Sequence, residues 1–246
     1  MGELRISRIG RGLVLEFKDK KYAIDDVSIG SFDYHFISHA HWDHLPKRIC
    51  GKILASEETL RFAVERGMRM VKVDRSPSHA ELLNSGHILG SSALLIDDKI
   101  LYTGDVCLRD RFFLRGFKPI KVEILIIEAT YGKSNYLFGD IGRIIDESFK
   151  YLLNALATGK NVVVTGYPLG KGQILTKLLN WFDNLIVHDE VERFNKLYSE
   201  FGIDLGEYMP YQVANKRNYL KKGGWILIAP KGPLAKKIAR KNNALM

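Results

Sequence analysis

The tightest constraint in this chain is an apolar stretch that runs straight into a cluster of ligand-type side chains. Tyr34-His35-Phe36-Ile37-Ser38 reads as a short strand, and it leads directly into His39-Ala40-His41-Trp42-Asp43-His44. Imidazole nitrogens and carboxylate oxygens suit zinc and similar divalent ions. In an extended turn after a strand, His39, His41 and Asp43 project to one side in alternation. His44 is expected to turn back as a following helix begins. Such a run can serve two adjacent ions, whereas a chance polar surface cluster leaves the preceding strand unexplained.

Around this run the first half reads as short strands between turn signals. Leu13 to Phe17 and Lys21 to Ile24 suggest a hairpin, and Glu57 to Arg66 has helical spacing with Gly67 as its stop. Ser92 to Ile96, Ile100 to Thr103 and Ile124 to Ile127 are further strands, with Asp97-Asp98 as a tight turn. After Thr130-Tyr131-Gly132 strands and helices alternate. Gly142 to Leu156 is expected as a helix with Ile145, Phe149, Leu152 and Leu153 on one face. Asn161 to Thr165, Leu185 to Val187 and Trp225 to Ile228 are strands, separated by helices over Gln173 to Phe182 and Glu192 to Phe201. That alternation implies a parallel α/β unit. A boundary near residue 130 therefore separates domains 1–130 and 131–246.

Composition narrows the class. With 46% hydrophobic and 26% charged residues, the 246-residue chain can bury a sizeable core. Its formal net charge of +9 favours polyanionic partners such as DNA or RNA, although a lysine-rich solvated surface would give the same balance. Cys50 and Cys107, the two cysteines, form no Cys-x-x-Cys pair, so a disulfide scaffold or cysteine-based zinc site is not expected. No apolar run approaches the ~20 residues that span a bilayer. No signal core is evident, and a cytoplasmic protein with no membrane association is expected.

The run from His39 to His44 resembles the His-x-His-x-Asp-His signature of the metallo-β-lactamase superfamily. Gly86-His87-Ile88-Leu89-Gly90-Ser91-Ser92 and Ile100-Leu101-Tyr102-Thr103-Gly104-Asp105 resemble that superfamily's third and fourth motifs. Leu125-Ile126-Ile127-Glu128-Ala129-Thr130-Tyr131-Gly132 resembles the acidic motif of its β-CASP group. That group includes the DNA-ligase-associated exonucleases, Artemis-like nucleases and the cleavage-and-polyadenylation nuclease. Gly166-Tyr167-Pro168-Leu169-Gly170-Lys171-Gly172-Gln173 is similar to a cap-domain segment of the DNA-ligase-associated members. As a nucleotide-binding P-loop it is one residue short between glycines and lacks the following Ser or Thr.

The resemblance implies an α/β (α+β) fold: a metallo-β-lactamase αββα sandwich over 1–130 and a β-CASP-like cap over 131–246. It implies His39, His41 and His87 on one metal, Asp43 and His44 on a second, and Asp105 between them. Zinc is the expected ion, with two sites, and manganese is the other candidate. Asp43, Asp105, Glu128 and Asp25 are the candidate catalytic residues, Asp25 acting by supporting the site from behind. Lys171, Gly170 and Gly172 are the candidate phosphate contacts at a helix start. His188 is read as cap structure or a substrate contact, and His35 and His79 as structural. The basic residues from Lys216 to Lys241 suit either phosphate contact or a solvated face.

Family members carry a further ligating histidine on a return to the first domain after the strand resembling Trp225 to Pro230. No segment after Pro230 resembles it, so the expected fold is C-terminally incomplete and its second metal lacks one ligand. Three explanations stay open: a truncated chain, a second polypeptide or another copy of the chain supplying the remainder, or water or another residue filling the vacant ligand position. The activity implied is phosphodiester hydrolysis in DNA or RNA by a nuclease, with exonuclease action in processing or repair. The competing readings are a catalytically silent nucleic-acid-binding subunit and a small-molecule metallo-hydrolase.

Overall fold

The computed structural model of the chain describes residues 3–69 and 77–246. These fold as a mixed α/β chain in two compact units, Met1–Glu128 and Ala129–Met246.

In the first unit, β1 (Leu4–Ile9), β2 (Gly12–Phe17), β3 (Lys20–Ile24), β4 (Tyr34–Phe36) and β5 (Lys52–Leu54) form one sheet in that order. The first three strands run antiparallel, and β4 and β5 are added in parallel. Helix α1 (Glu57–Glu65) follows. A second sheet contains β6 (Ala80–Asn84), β7 (Ser92–Ile96), β8 (Ile100–Tyr102) and β9 (Ile124–Ile126), with β9 parallel to β8. Between β7 and β8, Asp97 and Asp98 both have positive φ (49° and 56°), which aspartate tolerates in tight turns.

The two sheets share one core. Leu15, Phe17, Tyr22, Ile24, Phe36 and Leu54 of the first pack against Ala80, Leu94, Ile96 and Ile100 of the second. Side chains alternate along a strand, so Ala93 and Leu95 of β7 point the other way and pack with Leu101 and Phe117. Strand β7 is therefore buried on both faces. Each large apolar side chain removed from water contributes roughly 1.5–3 kcal/mol.

Helix α1 begins where Ser56 Oγ accepts the Thr59 amide (3.0 Å), with Glu57 and Glu58 in its first turn. Ser56 Oγ and Thr59 Oγ1 also donate to the Gly90 carbonyl (2.6 and 2.9 Å). The helix start is thereby tied to the loop that carries His87.

The second unit contains α2 (Ile141–Ala157), β10 (Asn161–Gly166), α3 (Lys171–Leu179), β11 (Leu185–Val187), α4 (Asp189–Glu200), β12 (Met209–Pro210), α5 (Tyr211–Lys216), β13 (Ile226–Pro230), α6 (Pro233–Lys241) and β14 (Ala244–Leu245). Its sheet is parallel throughout, in the order β12-β11-β13-β10-β14. Ile226 and Ile228 of β13 join the core under α2, α3 and α4, whereas Leu227 and Ala229 join the core under α5 and α6. A parallel sheet covered on both faces needs near-continuous apolar strands, and β13 is buried along its whole length.

Two expectations are corrected here. Leu153 does not share the inward face of α2: it is 48% exposed, and Leu152 and Ala155 are the buried positions. No helix follows His44 either. The chain there makes a turn closed by the His44 amide donating to the His41 carbonyl (3.1 Å).

Candidate metal centre

Strand β4 delivers the cluster. Phe36 and Ile37 are fully buried, and the Ile37 amide donates to the Leu54 carbonyl (2.9 Å). The Ser38 carbonyl accepts the Ser92 amide of β7 (2.8 Å), which pins the strand's end against the second sheet. His39 is buried just beyond that point. The turn then brings His41 back alongside it.

Loops of the second sheet supply two more donors. His87 lies between β6 and β7, where Arg111 donates to both the Gly86 and His87 carbonyls (2.5 and 2.7 Å). Asp105 follows β8 after Gly104, whose φ is +56°. A Cβ on Gly104 would lie 2.7 Å from the Ser38 Cβ, so glycine permits the close approach of this loop to the β4 end.

The donor atoms converge. His39 Nε2 is 3.0 Å from His41 Nδ1, and His87 Nε2 is 3.3 Å from the same nitrogen. Asp105 Oδ2 lies 3.4 Å from His87 Nε2 and 3.8 Å from His39 Nε2. One donor atom from each of His39, His41, His87 and Asp105 lies within 4.8 Å of the others. A tetrahedral ion with bonds of ~2.0–2.1 Å would space its donors about 3.3–3.4 Å apart, so the group fits a small divalent metal.

His44 and Asp43 stand on the other side of Asp105. His44 Nε2 is 3.6 Å from Asp105 Oδ1 and 3.9 Å from Asp43 Oδ2. The Asp43 side chain is 66% exposed, in contrast to the buried His39. Asp105 thus presents one oxygen to each set of donors.

Behind the donors sits Asp25, buried and at φ +56°. Its carboxylate accepts from the Ser38 amide (2.7 Å), Ser38 Oγ (3.1 Å), His44 Nδ1 (2.9 Å) and the Tyr102 hydroxyl (2.8 Å). His35 Nε2 donates to the Asp25 carbonyl (2.8 Å), while its Nδ1 accepts the Cys50 amide (3.1 Å). Binding His44 through Nδ1 leaves Nε2 to face Asp105. Ser38 Oγ likewise lies 3.0 Å from His39 Nδ1, which leaves His39 Nε2 for the cluster. Asp26, the neighbouring candidate, pairs instead with Arg11 (2.8 Å).

Burial and the surrounding charges set the protonation states. His39 is held well below the ordinary histidine value by burial, then by His44, His41, His87 and Arg66. Burial, His41 and Arg111 lower His87 to about 3, against a smaller opposing effect of Glu128. Both rings are neutral at pH 7, the form that binds metals. Burial also opposes the charged form of His44, but the Asp25 hydrogen bond and charge, with Asp105 and Asp43, raise it to about 8. The Asp105 carboxyl is raised by burial; His44 lowers it, and Glu128, Asp43 and Asp25 raise it further. Glu128, at the end of β9, therefore acts electrostatically on both His87 and Asp105.

The remaining sequence candidates lie in the second unit. The Gly170 amide donates to Gln173 Oε1 (2.7 Å), and the Gly172 amide to the Tyr167 carbonyl (2.9 Å). Both amides are committed within the chain, and Lys171 Nζ lies 5.9 Å from the Tyr167 ring centroid. Gln173 is fully buried and also donates to Asn195 Oδ1 (2.9 Å), so it locks this turn. His188 caps α4 by accepting the Glu190 amide (3.3 Å). Ser38, Tyr102 and Arg111 carry no ligand signature in the sequence, and their contacts to Asp25 and to the His87 loop span 13 to 77 residues.

No family model matches the chain. Among curated proteins, it is 25% identical to a probable DNA ligase of Opitutus terrae over 75% of this chain and 20% of that protein. It is 30% identical to a probable RNase of Methanocaldococcus jannaschii over 48% of this chain and 38% of the relative. It is 29% identical to cleavage and polyadenylation specificity factor subunit 3 of Dictyostelium discoideum over 39% of this chain and 14% of that subunit. The matches span well under half the length of each of these relatives. With the spacing from His39 to His44, the loops of His87 and Asp105 and the acidic turn at Glu128, these likenesses support a relationship to the metallo-β-lactamase superfamily and its β-CASP nuclease group.

Proposed function

We propose that the chain is the metal-binding part of a nuclease that hydrolyses phosphodiester bonds in DNA or RNA, acting as an exonuclease. The observation that carries this reading is the convergence of His39, His41, His87 and Asp105 in a chain similar to a probable RNase. Two of the relatives bear names tied to RNA, and one to DNA. The charge of +9 supports a polyanionic substrate. The two sheets that share a core are read as the β layers of an αββα sandwich.

His39, His41, His87 and Asp105 would hold one ion, and Asp43, His44 and Asp105 a second. Zinc is proposed for both, with manganese as the other candidate. A divalent ion there would supply Lewis acidity, polarising a phosphoryl oxygen and acidifying water. Asp25 fixes the ring of His44 and, through Ser38, that of His39. Asp105 spans the two donor sets. Glu128 is proposed to hold a proton beside the reacting phosphate. Lys171 is proposed as a contact to a phosphate of the strand.

The test compares parent and Asp105→Ala on end-labelled single- and double-stranded DNA and RNA, with zinc or manganese added. Removing an electrostatic stabiliser of this kind costs roughly 10²–10³ in rate. A loss of that order in the variant is expected. Equal cleavage by the two proteins would reject the reading.

A further inference from the structure

Trp42 stands inside the ligand run, between His41 and Asp43, yet it is 62% exposed. Its neighbours show why it holds a defined place. The guanidinium carbon of Arg66, at the C-terminal cap of α1, lies 4.9 Å from the indole centroid. One face of the indole is thus covered by a cation while the residue as a whole stays 62% exposed. An indole face beside a guanidinium, at the rim of a centre for phosphodiester chemistry, combines the two features that bind single strands. These are an aromatic surface for a base and a positive charge for the backbone.

We propose that Trp42 is a stacking platform for the nucleobase next to the bound phosphodiester, with Arg66 bracing the indole. The proposal rests on the nuclease reading given above and narrows its substrate class. Bases inside a duplex already stack on one another and have no free face. The unit recognised is therefore an unpaired nucleotide, in a single strand or at a frayed end. Stacking accepts any base, so this subsite selects strandedness and not sequence.

The experiment measures binding in the presence of a chelator, so that hydrolysis does not intervene. Fluorescence anisotropy gives the affinity of the full chain for a labelled oligothymidylate and for an abasic strand of the same length. Parent, Trp42→Ala and Trp42→Phe are compared. The parent is expected to prefer the base-bearing strand by roughly 5-fold or more. Trp42→Ala should abolish that preference without changing affinity for the abasic strand, and Trp42→Phe should keep most of it. Oligothymidylate should also quench tryptophan emission in the parent, with the quenching lost in Trp42→Phe.

An undiminished preference in Trp42→Ala, equal weakening on both strands, or no binding by the parent would overturn the proposal. If the base preference depends on Trp42 but the metal-loaded parent cleaves neither DNA nor RNA, the stacking site stands. In that case the catalytic reading alone falls.

Discussion

At the scale of single residues, one carboxylate organises the centre. Asp25 accepts four hydrogen bonds, from the Ser38 amide and hydroxyl, His44 and Tyr102. It also sets an expected pH dependence through His44, which is raised from 6.5 to about 8. A histidine raised on folding contributes stability that is fully present below pH 6.5 and lost as pH rises through about 8. Metal binding has the opposite sign, because a proton on Nε2 must leave first. Metal affinity at the set containing His44 is therefore expected to fall roughly tenfold per unit as pH drops below about 8. Histidine NMR titration of the metal-free protein checks the value. Asp25→Asn should return His44 toward ordinary behaviour, and an unchanged midpoint in that variant would contradict the role given to Asp25.

The run from His39 to His44 is conspicuous at this scale because four ligand-type side chains fall within six residues, and the structure brings His39 and His41 of that run together with His87 and Asp105. The partners that hold Asp25 carry no such pattern. Tyr102 reaches Asp25 across 77 residues of sequence, and no local pattern marks a tyrosine for that task. The committed amides of Gly170 and Gly172 were hidden for the same reason. A glycine-rich turn at a helix start looks the same whether its N–H groups face a ligand or the chain's own Gln173.

At the scale of elements, apolar runs could be read as strands even when short, as at Leu185–Val187, whereas strands made by pairing alone could not. β7 and β13 announce themselves by continuous apolar residues, buried on both faces. β5 has three residues and β14 two, too few for a period to show, and tertiary pairing alone makes them strands. α6 is rich in basic residues, which masks its apolar face of Ala235, Ile238 and Ala239.

The loops between elements are held by backbone geometry. Gly86, at φ +73°, precedes His87, and a Cβ there would lie 2.4 Å from the Cys107 carbonyl oxygen and 2.8 Å from the Phe117 amide nitrogen. Backbone neighbours cannot swing aside as side chains do. Gly86→Ala is expected to cost at least about 1–2 kcal/mol, from the left-handed backbone alone. Denaturant unfolding of parent and variant checks it, and equal midpoints would show that the loop relaxes freely.

At the scale of the molecule, charge and organisation matter most. Each unit encloses its own core, and all the proposed metal donors belong to the unit Met1–Glu128. Among the described residues no helix is long and apolar enough to cross a membrane. With a net charge of +9, binding of nucleic acid should weaken linearly in log affinity against log salt. Lys171→Ala should reduce that slope by about one if its ammonium meets a phosphate, and should leave it unchanged otherwise.

The most direct test is the metal content of the protein after dialysis against zinc and then zinc-free buffer, measured by elemental analysis. The parent is expected to retain at least about one ion per chain, as a closed set of neutral imidazoles and a carboxylate should. A variant with His39 and His87 both replaced by alanine should retain almost none. A parent that comes out of dialysis empty, or a double variant that holds as much zinc as the parent, would contradict the assignment of the centre.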